Sequence, residues 1–335
     1  MEITDAQVLE VAEHSQVGDA RRRVVRLATE AGLDAKAQDR LSVITTELAT
    51  NLLKHTAAGG RILMQALKDE DIHGIELCSI DSGRGMNVED CVLDGVSSTG
   101  TLGTGLGAIR RMSDECNIFS QIGSGTVVHV RVWNSPPKTG QAFSFGGFTV
   151  PKNGEHLSGD KWMVLQKEGI VYSMLVDGLG HGLEAFEAAQ LAKQSFRENW
   201  HKPPVVMMNG LHAALRGSRG AVGAVARLNL ADNRLDYCGL GNVTAIVVSE
   251  LGRKHLVSMN GTLGYDAPRF REFSYVWTPS SLLVMHSDGL SSRAGDAVVA
   301  LEKLPAPLVA GWLYQQHAKT IDDATVLVLK QSRPL

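Results

Sequence analysis

Hydrophobic and polar positions change period several times along this chain of 335 residues. From Arg21 to Glu30, and again from Gln38 to His55, apolar residues recur every three or four positions, which predicts helices. In the second stretch Leu41, Ile44, Leu48 and Leu52 form the stripe expected to face a core. Strand-like runs follow at RILMQALK and GIELCSI, then a glycine-rich segment, a helix near Leu106 to Met112, and the strand TVVHVRVW. The stretch NSPPKTGQ, Asn134 to Gln141, combines prolines, a glycine and polar residues and has the composition of a linker. Beyond it, apolar runs of strand length dominate: WMVLQ, IVYSMLV, AVGAVARLNL, LDYCGL, VTAIVV, SLLVMHS and ATVLVLK. Helical stretches interrupt them from about Leu183 to Glu198, from Val205 to Leu215 and near Leu308 to His317. The expectation is an α+β protein: a helix-and-sheet unit at 1–133, a linker at 134–141, and a strand-rich sandwich with outer helices at 142–335.

Composition agrees with two domains of about 150 residues each. With 44% hydrophobic and 21% charged residues the chain can bury real cores. A net charge of -3 gives no basic footprint for nucleic acid. No apolar stretch is long enough for a membrane span, and the acidic start MEITDAQVLE is unlike a signal peptide. Cys78, Cys91, Cys116 and Cys238 lack C-x-x-C spacing and read as buried thiols of a cytoplasmic protein.

Four aspartates in the second half each adjoin an apolar run: Asp160 in SGDKW, Asp177 closing IVYSMLVDG, Asp288 closing SLLVMHSDG, and Asp322 (with Asp323) opening DDATVLVLK. Carboxylates gathered at strand ends repel one another unless cations lie between them, and Mg²⁺ or Mn²⁺ takes oxygen ligands of this kind. A carboxylate-held metal pair activates water against phosphorus esters. Taken singly, each aspartate reads first as a turn residue or helix cap, and it is the joint pattern that points to metal chemistry.

In the first half, Glu47 and Asn51 stand four apart on the predicted helix and so share a face. They are either a proton acceptor and an oxygen ligand or a solvated polar face. DSGRGM, Asp81 to Met86, follows a strand and leaves a carboxylate at its end. GTLGTGLGAIRRM, Gly100 to Met112, is a glycine-rich loop entering a helix, an arrangement that favours phosphate. Arg110 and Arg111 either reach phosphate or face water, and His55 is either a phosphate contact or a cap.

The boxes ELATN, DSGRGM and GTLGTGLG, in this order, resemble the GHKL (Bergerat) ATP-binding fold, and within it the anti-sigma-factor serine kinases of bacterial stress modules. That resemblance spans about Asp19 to Trp133 and implies an α/β sandwich binding ATP and Mg²⁺. By it, Glu47 is the general base on a protein hydroxyl, Asn51 holds Mg²⁺, and Asp81 takes the adenine amine. Gly83 and Gly85 shape the pocket; Gly103, Thr104, Gly105, Leu106 and Gly107 form a lid over the phosphates; Thr126 lies near the adenine.

GGFTVPKNGEHLSGDKW, VDGLGHG, GLGNVTAIV, HSDGL and DDATVLVL resemble the SpoIIE-type branch of the metal-dependent PPM serine/threonine phosphatases, over most of Ala142 to Lys330. The implied fold is an αββα sandwich holding two Mn²⁺ or Mg²⁺ ions. Asp160 would bridge the ions, Asp177 and the Gly178 carbonyl would bind one, and Asp288 and Asp322 the other, with Asp323 a neighbour or substitute. His181 either protonates the leaving alkoxide or is structural. Together the resemblances imply a bifunctional switch acting on STAS-domain antagonists or stressosome-type proteins, with homodimers as related kinases often form. The alternative is a phosphatase alone, gated by a nucleotide-sensing or sigma-factor-binding domain.

Overall fold

The computed structural model describes residues 2–69, 72–88, 105–135, 143–267 and 269–331. Gly103 and Thr104 of the lid, Cys91, and most of the linker at 134–141 lie outside the described residues. The chain divides into two compact units, Met1–Thr139 and Gly140–Leu335.

The first unit is one antiparallel sheet with helices on a face. Strand β3 (Gly60–Asp69) carries both β1 (Glu2–Ile3) and β2 (Gln7–Val11) on its outer side. It is followed across the sheet by β4 (Ile72–Asp81), β6 (Gly125–Trp133) and β5 (Glu115–Gln121). Helices α1 (Ser15–Glu30) and α2 (Ala35–His55) bury Val24, Leu27, Leu41, Ile44, Leu48 and Leu52 against Ile62, Met64, Ile75, Leu77, Val128 and Val130. The predicted stripe is therefore the core face, and truncating one such leucine to alanine costs about 2–5 kcal/mol. Helix α2 begins where Asp34 accepts a hydrogen bond from the Ala37 N–H at 2.8 Å. A third helix, α3 (Gly105–Met112), buries Ile109.

In the second unit two sheets stack. One runs β8 (Asp160–Lys167), β9 (Ile170–Gly178), β10 (Ala221–Asn229), β11 (Arg234–Leu240) and β14 (Ser258–Met259), with β15 (Phe273–Val276) also on β11. The other runs β7 (Phe143–Val150), β17 (Ala324–Gln331), β16 (Leu282–His286), β12 (Thr244–Ser249) and β13 (Gly252–His255). They meet where β8 packs on β7 and β17, and Gly147 leaves room for the Trp162 ring, which a Cβ would approach to 2.8 Å. Helices α4 (Leu183–Asn199) and α5 (Pro204–Ala214) cover the first sheet through Ala188, Ala192, Phe196, Met207 and Leu211. A short helix α6 (Ala294–Ala297) precedes α7 (Ala306–His317), which packs on β7 and β17. The layers are α, β, β, α. This is the α+β architecture expected, in both units.

Candidate functional site

The stripe that buries α2 leaves Glu47 and Asn51 half-buried at its edge, one turn apart. The first residue of α3 rests on this pair: a Cβ on Gly105 would lie 3.1 Å from Glu47 Oε2 and 3.4 Å from Asn51 Oδ1. The head of α3 therefore lies beside a carboxylate, a charge that suits a helix N-terminus. The other end of α3 is fastened by Arg40, which sequence reasoning missed. Its Nε donates to the Met112 carbonyl at 2.7 Å and its guanidinium pairs with Asp114 at 2.8 Å. Leu106 packs against the core, and Gly107 lies in the same helix.

Asp81 closes β4 directly opposite Thr126 of β6. Its Oδ1 accepts from the Gly83 N–H at 2.8 Å. Burial pushes this carboxyl above its usual range, while the Gly83 and Thr126 N–H groups and His55 pull it back. A Cβ on Gly83 would stand 2.9 Å from both Asp81 Oδ1 and Thr56 Cγ2, so the turn is pressed against the end of α2. Gly85 has φ +70 and lies so near the Gln121 carbonyl that a Cβ would come within 2.3 Å, a position only glycine fills without strain. The Ser120 hydroxyl joins the turn to the hairpin, bonding Thr126 Oγ1 at 2.9 Å and accepting from the Met86 N–H at 2.9 Å. Glu47, Asn51 and Gly105 thus form one group and Asp81, Gly83, Gly85 and Thr126 a second, connected through the end of α2.

In the second unit the acidic residues come from four strand ends. Asp160 opens β8 and faces Asp177 of β9 across the ladder. Asp288 follows β16, and Asp322 and Asp323 precede its neighbour β17. Asp160 is buried, hydrogen-bonded by Ser287 and Thr325, yet among the described residues its Oδ2 has no partner. Burial, with the charges of Asp323 and Asp322, pushes its carboxyl up to about 7. Burial and the charges of Asp160, Asp288, Asp322 and Asp323 push Asp177 up to about 9. Like charges directly opposite in a sheet repel, so this field is one that bound cations would relieve.

Asp323 has a separate task. Its Oδ1 accepts from the Lys152 N–H and its Oδ2 from the Gly159 N–H, both at 2.6 Å. With both oxygens bonded to backbone, it fixes the segment leading into Asp160. Gly178 donates to the Gly159 carbonyl at 2.9 Å, and a Cβ on it would meet the Ala185 carbonyl at 2.5 Å. His181 pairs its Nδ1 with Glu155 Oε1 at 3.1 Å at the surface. Asn242 is a further residue of the centre: its Nδ2 donates to Asp288 Oδ2 at 2.7 Å. The polar asparagine after the apolar run LDYCGL was the visible signal for it.

The donor set is all oxygen, and one buried carboxylate oxygen is orphaned, which suits a hard divalent ion. Among the described residues no three acidic, imidazole or thiol groups gather closely enough to chelate one ion by themselves. Mg²⁺ makes no such demand: it keeps several waters and takes one or two carboxylates, which aspartates arriving in pairs provide. The residues fit the ions.

Residues 11–132 match the histidine kinase-like ATPase domain family, and residues 167–332 match stage II sporulation protein E (SpoIIE). The chain joins a member of each family. The serine/threonine-protein kinase RsbT of Bacillus subtilis (strain 168) is 27% identical over 132 residues, 39% of this chain and 98% of the kinase. The phosphoserine phosphatase RsbX of the same organism is 22% identical over 145 residues, 43% of this chain and 73% of the phosphatase. A crystal structure of RsbX in complex with magnesium superposes with a TM-score of 0.54 and 19% identity, covering 58% of this chain and 98% of RsbX. The first unit accordingly has the GHKL-like fold and the second the PP2C (PPM) phosphatase fold. Among the described residues no helix is long and apolar enough to cross a membrane.

Proposed function

We propose that this chain is a bifunctional partner-switching regulator. Its domain at 1–133 transfers the γ-phosphoryl group of ATP to Ser or Thr of a STAS-type protein, and its domain at 142–335 hydrolyses such a phosphoester. The segment 134–141 tethers the two, which raises the local concentration of opposed activities around one target.

The observation that carries the hydrolytic half is the acidic centre: Asp160 and Asp177 opposed across one ladder, with the charges of Asp288 and Asp322 acting on Asp177. Asp160, Asp177, Asp288, Asp322 and the Gly178 carbonyl would hold Mg²⁺ or Mn²⁺. A bound pair supplies positive charge to the phosphoester and makes a neighbouring water a better nucleophile near neutral pH. The chain's own part is to hold four carboxylates in register. Asp323 fixes the approach to Asp160, and Asn242 fixes the orientation of Asp288.

In the kinase half, Glu47 accepts the proton of the attacking protein hydroxyl, and Asn51 is the side-chain ligand for Mg²⁺ on the nucleotide. Support for this pairing is the close approach of both to Gly105 at the head of α3. The lid at Gly103, Thr104, Gly105, Leu106 and Gly107 offers backbone N–H groups to the phosphates. Asp81 receives the adenine amine between Gly83, Gly85 and Thr126.

The test is a paired assay on one STAS-domain protein. Labelled ATP transfers phosphate to it; Glu47→Ala abolishes transfer and retains ATP binding. With Mn²⁺ the phosphorylated protein is hydrolysed, and Asp177→Asn stops this. Transfer that survives Glu47→Ala removes Glu47 as base, and hydrolysis that survives Asp177→Asn removes the metal assignment.

A further inference from the structure

The acidic centre is built to hold cations but has, among the residues assigned so far, no group that grips the phosphoryl oxygens of a substrate. Resting on the phosphatase reading above, we propose that Arg219 is that grip, exchanging its present partner Glu184 for the phosphate of a phosphoseryl or phosphothreonyl protein.

The geometry begins with the β9–β10 ladder. Val222 faces Asp177 and Ala221 faces Gly178, and the Leu179 N–H donates to the Gly220 carbonyl at 3.0 Å. The pairing therefore continues past the strands and sets Arg219 beside Gly180. The guanidinium lies flat against that glycine: a Cβ on Gly180 would stand 2.9 Å from one terminal nitrogen of Arg219 and 3.1 Å from Cζ. Gly180 has φ +82, so both the conformation and the stacked guanidinium call for glycine. Gly180 lies three residues beyond Asp177, so their Cα atoms are at most about 11 Å apart. A phosphoryl dianion at the aspartates lies within roughly one Debye length of this charge and within the swing of an arginine side chain.

Arg219 is held loosely enough to move. Its ion pair among the described residues, to Glu184 Oε2 at 3.2 Å, has partners 44% and 73% exposed. An exposed pair of that kind contributes at most about 1 kcal/mol, whereas a guanidinium fork matches phosphate bidentately. Two other cations of this region are tied to backbone carbonyls. Lys161 is buried, donates to the Ser158 carbonyl at 3.1 Å and lies over the Phe186 ring, and Lys319 donates to the Asp288 carbonyl at 2.6 Å. Glu184, in the first turn of α4, then acts as a competitor that vacates the guanidinium when phosphate arrives.

The experiment uses the full chain with Mn²⁺, a synthetic phosphoseryl peptide as substrate and inorganic phosphate as competitive inhibitor. Arg219→Ala raises KM for the peptide and Ki for phosphate by about tenfold or more, the loss of a charge-assisted hydrogen bond, with kcat within about twofold. Arg219→Lys recovers part of the loss. Glu184→Gln frees the guanidinium and lowers both constants, the direction opposite to Arg219→Ala. Mn²⁺ affinity by calorimetry is the same in all of them. If Arg219→Ala leaves both constants unchanged, or Glu184→Gln and Arg219→Ala shift them in the same direction, or Mn²⁺ affinity falls with activity, the grip is refuted and the pair only braces the loop. If the unaltered chain hydrolyses no phosphoester with Mn²⁺, the phosphatase reading itself fails, and the grip with it.

Discussion

Replacing Asp177 by asparagine tests the acidic centre without any substrate. In the metal-free protein the Asp177 carboxyl is pushed up to about 9 from an ordinary value of 3.8, by burial first and by four neighbouring aspartates after it. A raised carboxyl costs the fold stability above the unfolded value, and the cost grows as pH rises from 3.8 towards about 9. At pH 7 the gap is about three pH units, worth about 4 kcal/mol at ~1.36 kcal/mol each. The new amide needs its own hydrogen bonds, which takes back about 1–2 kcal/mol. Asp177→Asn is therefore expected to stabilise the second unit by on the order of 2–3 kcal/mol in EDTA at pH 7, with little effect near pH 4. Urea denaturation of the full chain at both pH values, followed by a probe of the second unit, measures this. The same variant no longer gains stability from added Mn²⁺. A variant that is neutral or destabilised in EDTA at pH 7 would show that the aspartates do not share one field, and the metal argument would fall.

Three other outcomes follow from individual contacts. Asn242→Ala removes the hydrogen bond that orients Asp288; Mn²⁺ binding measured by calorimetry should weaken about tenfold, in the range known for residues that orient metal ligands, and unchanged affinity would dismiss Asn242. Glu76 is fully buried among Arg131, His129 and Gln65, which hold its carboxyl down at about 2 against the cost of burial. Since that value is depressed, its stabilisation is complete above pH 4.5 and drains away as pH falls towards 2; acid titration of the first unit should show this loss, and Glu76→Ala at pH 7 should cost about 3–5 kcal/mol by removing the buried carboxylate that Arg131 and His129 share. Asp34→Ala deletes the N-cap of α2 and should cost about 1 kcal/mol, read as a shift in urea midpoint, while ATP binding persists because Glu47 and Asn51 lie turns away.

By itself the sequence determined the long elements and the chemistry they carry. Residues Gln38 to His55 have an uninterrupted three-or-four period, so α2 and its buried face were readable, and Glu47 and Asn51 had to emerge together at its edge. The aspartates were equally readable because each adjoins an apolar run, and such runs place polar residues at strand ends. Strands β1, β2 and β5 were not: β1 is two residues long, and β5 is half-buried along most of its length, leaving no alternation to detect. The tertiary structure alone decided which aspartate does what. Asp323 and Asp322 are neighbours of the same type, and only the approach of the Lys152 and Gly159 N–H groups assigns Asp323 to the backbone. Arg40, Asn242 and Arg219 belong to this second class as well. Each acts on a residue between 35 and 74 positions away in the chain, and a contact over that separation depends on sheet register and helix packing, which local periodicity does not encode.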